Sequence, residues 1–143
     1  INPDQSRREM VYRLASGFLG RLCLSGALDE LDAEQLALVR RAAGFYERCS
    51  GVIRTGETTV YGEGSRWLRA LTGWQAAVRV NGSEALAVVH IFDHPAGAVR
   101  LPLSGWQIAE SLCEGIQAEA EPDGLVLHTD GGHCAGVFLL RRG

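Results

Sequence analysis

The sequence predicts a mainly β chain of α+β content. A helical opening over residues 1–56 is followed, over residues 57–143, by an antiparallel β-sandwich of about seven to eight strands. Three observations carry this. Apolar residues recur at helical spacing up to the mid-fifties. Beyond that point they alternate or cluster in short runs, broken at short intervals by Gly- and Asp-containing turns. The run Trp74–Val80 ends on Asn81-Gly82, a strong hairpin signal. The chain has 143 residues, of which 46% are hydrophobic and 22% charged. That is enough apolar material for a core.

From Ser6 to Leu22, Met10, Leu14, Phe18 and Leu22 form an amphipathic stripe widened by Val11 and Leu19. Gly17 and Gly20 each weaken a helix there by about 1 kcal/mol relative to alanine. Phe18–Ser25 therefore reads alternatively as a short buried strand that stops at Ser25-Gly26. Asp32 followed by Gln35 forms a capping box and opens a second helix, expected to end near Gly51. Its apolar face is read as Leu36, Val39, Ala43, Tyr46 and Ser50, with Leu38, Ala42 and Cys49 beside it. Arg40, Arg41 and Arg48 suit the dipole at its C-terminal half. Strands are expected from Thr58, over Trp74–Val80, Ala85–Phe92, Ala98–Leu103, Ala109–Cys113, Gly115–Ala120, Gly124–Thr129 and Cys134–Arg141. Gly62–Ser65 reads as a flexible connection. Two helices alone cannot bury both faces, so they are expected to fold back on the sandwich or to form a homo-oligomer.

The net charge of −3 and pI of about 5.8 show no basic stripe, which argues against nucleic acid. No apolar run reaches the roughly 18 residues of a membrane helix. The opening INPDQSRREM has no apolar leader-like core. The four cysteines, Cys23, Cys49, Cys113 and Cys134, lack metal-ligand spacing and read as small buried hydrophobes with reduced thiols. These features point to the cytoplasm and to no cofactor.

Four stretches resemble the end of glycoside hydrolase family 36, the α-galactosidase-like retaining glycosidases. Leu19-Gly20-Arg21 with Leu24-Ser25-Gly26 is similar to the family's last barrel strand. Leu31 and Gln35 with Phe45-Tyr46 resemble its last barrel helix. Ile53-Arg54-Thr55-Gly56 resembles the lead into the C-terminal sheet. Gly73–Arg79 with Val88–Phe92 resembles a hairpin of that sheet. The resemblance implies a parent enzyme that hydrolyses terminal α-galactosides with retention, through two aspartates. Both would lie upstream. Asp4, Asp29, Asp32, Asp93, Asp123 and Asp130 match neither motif. The implied role is therefore structural, as the non-catalytic C-terminal part of a glycosidase, and the chain alone is expected to be inactive. The contrasting reading is an independent carbohydrate-binding sandwich, with Trp67 and Trp106, both in loop-like stretches, as sugar-stacking platforms.

Two further clusters read as structural. Asp29, Glu30, Asp32 and Glu34 form a loop and helix N-cap. His90, His94, His128 and His133 lack the spacing of a metal site, although a histidine-bearing sandwich leaves a cupin-like metal enzyme as a third reading.

Overall fold

A computed structural model describes residues 1–63, 71–93 and 97–142. Among the described residues two helices, α1 (Arg7–Gly17) and α2 (Ala33–Thr55), are followed by eight strands: β1 (Glu57–Glu63), β2 (Trp74–Asn81), β3 (Glu84–Ile91), β4 (Val99–Leu101), β5 (Trp106–Glu114), β6 (Ile116–Glu121), β7 (Gly124–Thr129) and β8 (Cys134–Arg142). A single 3-10 turn, Leu28–Glu30, stands between the helices.

The helix starts obey local chemistry. Ser6 caps α1 and Asp32 caps α2, each in a complete capping box with Glu9 and Gln35. Helix α1 stops at Gly17, earlier than its apolar periodicity suggests. The chain turns back there, and a Cβ on residue 17 would overlap the Leu22 side chain. Residues 18–27 form no strand, so the strand reading of that segment is not realised. Helix α2 runs past Gly51 to Thr55, because Val52 in the added turn is buried and Ile53 packs on the core. Its buried stripe is Leu38, Val39, Ala42, Phe45, Cys49 and Val52, rotated from the face read in the sequence. Arg41 and Arg48 reach the sheet. Arg41 donates to the Ser111 carbonyl at 2.9 Å, and Arg48 forks onto Glu110 at 2.9 and 2.6 Å.

The strands form two antiparallel sheets, one in the order β1-β2-β3-β8-β5 and one in the order β4-β7-β6. One face of the larger sheet, through Leu86, Val88, Leu112, Ala135, Val137 and Leu139, packs against α1 and α2. Its other face, including Ala87, Val89, Phe138 and Leu140, packs against Val99, Leu101, Leu125 and Leu127 of the smaller sheet. The result is three layers: helices, sheet, sheet. β3 is therefore buried on both faces from Ala85 to Ile91, and β8 likewise from Cys134 to Leu140. The helices' apolar stripes are covered by their own sheet, so pairing of copies through uncovered helices loses its premise.

Strand β5 begins earlier than expected. Gly105, at φ 79°, turns the chain directly into Trp106. A bulge between Ile108 and Glu110 hides the start from simple alternation. Gly62 and Glu63 belong to β1, whereas Gly64 and Ser65 of the expected flexible connection lie outside the described residues.

Candidate functional site

Leu19, Gly20, Tyr46, Ile53 and Arg79, at least one from each of the four stretches noted in the sequence, meet at one junction centred on Arg79 of β2. Alternation along β2 buries Ala76 and Val78 and leaves Arg79 on the helix side of the sheet, at its edge. Its guanidinium donates through Nη1 to the Ile53 carbonyl at 3.0 Å and through Nε to Thr58 Oγ1 at 3.1 Å. Nη2 donates to the Leu19 carbonyl. One planar fork thus ties the loop after α1, the end of α2 and the edge strand to β2. Tyr46 of α2 adds a hydroxyl donation to the Gly20 carbonyl at 2.7 Å, and Asn81 Nδ2 donates to Thr55 Oγ1 at 2.7 Å. Phe18 anchors the same loop, fully buried, with its ring 5.3 Å from that of Phe45 and 5.5 Å from that of Tyr46. Beyond the anchor, Leu19 and Leu24 are 41% and 37% exposed, and Cys23 is exposed rather than buried.

A second cluster lies where α1 crosses β3. Ser16 Oγ is 3.1 Å from His90 Nε2 and 3.4 Å from the Tyr12 carbonyl oxygen, so its one proton can serve either acceptor, the shorter contact being to His90. The Tyr12 ring meets the His90 ring edge-on at 5.0 Å. His90 is 7% exposed, the only polar or charged residue buried among the described residues. Burial pushes its pKa down, because a low-dielectric surrounding disfavours the cation, and a backbone hydrogen bond to Tyr12 opposes this. Glu9, Tyr12, Arg13, Ser16 and His133 line a cleft of about 330 Å³, which Ser16 reaches while His90 stands buried behind it. His133, at φ 49°, is the only described non-glycine residue in the left-handed region.

Trp106 is no platform: it is 4% exposed in the sandwich core, with the Arg142 guanidinium 4.7 Å over its ring. Trp67 lies outside the described residues, as does His94. His128 is exposed on β7, opposite Gln117. Among the described residues no three His, Cys, Asp or Glu side chains group as metal ligands. Asp32 is occupied by its cap, and Asp130 pairs with Arg8 at 2.6 Å. Burial raises the Cys49 thiol to about 12 and the Cys134 thiol to about 11, so both stay protonated and unreactive at neutral pH. No described helix is long and apolar enough to cross a membrane.

Sequence periodicity missed the Ser16–His90 pair because the partners stand 74 residues apart. The one available signal is a histidine in an otherwise apolar strand, Ala85–Ile91.

The buried histidine predicts an acid-sensitive fold. His90 has a folded-state pKa below its ordinary 6.5, so the unfolded chain takes up the proton first. Stability is greatest above pH ~6.5 and falls as the pH drops below it, by at most ~1.4 kcal/mol per pH unit for one proton. Urea unfolding between pH 5 and 7.5 should show this slope, and His90→Gln should flatten it. An unchanged slope in the variant refutes the assignment.

Searches with family models, among curated proteins and among solved structures find no match to the chain.

Proposed function

We propose that this chain is the C-terminal, structural part of an α-galactosidase-like glycoside hydrolase, silent toward glycosides by itself. In this reading residues 1–56 belong to the tail of the catalytic barrel and residues 57–143 form the accessory sandwich. The observation that supports it best is the Arg79 fork. All four stretches that resemble the family meet around it or the Tyr46–Gly20 bond beside it, and every contact there is structural. Residues placed to hold segments together fit a role in docking a barrel end onto a sandwich. The exposed leucines at 19 and 24 fit a segment shaped for a neighbour. Retaining hydrolysis needs two carboxyls about 5–5.5 Å apart, and neither of the clusters described above offers such a pair.

Two measurements test the reading. The purified chain is expected to leave an aryl α-galactoside unhydrolysed above the buffer rate, and its tryptophan fluorescence is expected to show no saturable change with galactose or raffinose. Turnover contradicts the structural role; saturable quenching favours a carbohydrate-binding module instead. The reading frame upstream of Ile1 should encode a barrel with two catalytic aspartates, and a frame lacking one overturns the proposal.

A further inference from the structure

We propose that Ser16 and His90 form a nucleophile–base pair that accepts an acyl group from short-chain esters at the cleft over α1. This activity is separate from the packing role, which concerns glycosides.

The geometry supplies the parts such a step needs. A serine hydroxyl becomes a useful nucleophile when a neutral base sits within about 2.6–3.2 Å of it. Ser16 Oγ lies 3.1 Å from His90 Nε2. The base is held still. Tyr12 packs edge-on against its ring, and Phe92 lies nearly parallel to it, at 16° and 6.4 Å. The depressed basicity of the buried ring keeps it neutral at pH 7, the state that can take a proton. Ser16 itself is exposed and lines the cleft, so an ester can approach it. It stands in the last turn of α1, where free carbonyls rather than N–H groups gather. Side chains must therefore meet the developing oxyanion, and Arg13 and His133 line the same cleft. His133 is held in the left-handed region, a strain that concentrates at functional sites. The cleft volume of about 330 Å³ suits a small acyl group and its alcohol.

The step balances within the site. Ser16 Oγ forms a bond to the ester carbonyl carbon as its proton passes to His90 Nε2. The carbon–oxygen bond to the alcohol then breaks, and His90 returns that proton to the leaving oxygen. Water attacks the acyl-serine, His90 takes its proton, and the proton goes back to Ser16 Oγ as the free acid departs.

The test uses a fluorophosphonate probe and 4-nitrophenyl acetate. With the probe, Oγ bonds phosphorus, fluoride leaves and the proton goes to His90. Peptide mapping should place the adduct on Ser16, and Ser16→Ala should abolish it. Ester hydrolysis should fall to the buffer rate in Ser16→Ala and about 100-fold in His90→Gln, the scale of a positioned general base. Ser16 is exposed and alanine favours helix, so the first variant should fold and can decide alone if the second does not. An unlabelled protein, an adduct on another residue, or equal hydrolysis by wild type and Ser16→Ala overturns the proposal.

Discussion

Phe18→Ala is expected to cost about 3–5 kcal/mol of folding stability, the range for removing a buried aromatic ring. Phe18 is fully buried between α1 and α2, with Phe45 and Tyr46 against its ring. Its loss removes that apolar surface from the core and leaves a cavity that two helices held against a sheet cannot easily close. It also frees the start of residues 18–27, which contain no strand. Domains of this kind are stable by only ~5–15 kcal/mol, so the variant should lie near its unfolding threshold. Urea unfolding followed by far-UV circular dichroism measures the change. Leu24→Ala is the control. Leu24 is 37% exposed in the same loop. An exposed site of this kind should cost under about 0.5 kcal/mol. A Phe18→Ala cost below about 1 kcal/mol, the typical value for any point substitution, contradicts the anchoring role.

Arg79→Ala is expected to cost about 2–4 kcal/mol, since hydrogen bonds from a charged donor contribute ~1.5–3 kcal/mol each and share one side chain here. Three acceptors lose their donor together: the Leu19 carbonyl, the Ile53 carbonyl and Thr58 Oγ1. Arg79→Lys should recover only part of this. A single ammonium on a flexible stem cannot reach along three directions as the guanidinium fork does. Hydrogen exchange should localise the damage to residues 18–20 and 52–58, leaving the hairpin of β2 and β3 protected. A lysine variant as stable as wild type, or loss of protection spread evenly over the chain, refutes the junction.

These two residues show how unevenly the sequence revealed its structure. Phe18 falls on the apolar stripe of α1, and its burial was legible from spacing alone. Arg79 was legible only as part of a strand that resembles a family hairpin, because its three partners lie on three other segments. Leu19 also fits the helical period, yet it is 41% exposed, since the chain leaves the helix at Gly17 before Leu19 can complete the stripe. Trp106 erred the other way. A glycine before it suggested a loop, and Gly105 instead turns the chain directly into β5 and the core.

By itself the sequence determined what acts over a few residues: both helix caps, the tight turn between β2 and β3, and the alternating strands with their glycine breaks. Those signals arise from backbone geometry and nearest neighbours, so they hold whatever the rest of the chain does. The tertiary structure alone decided that β8 enters between β3 and β5, that the helices cover one face of that sheet, and that Ser16 meets His90. Such contacts join segments far apart in the chain. Their free energy comes from burying faces that exist only once those segments have met, and no local pattern records which face will meet which.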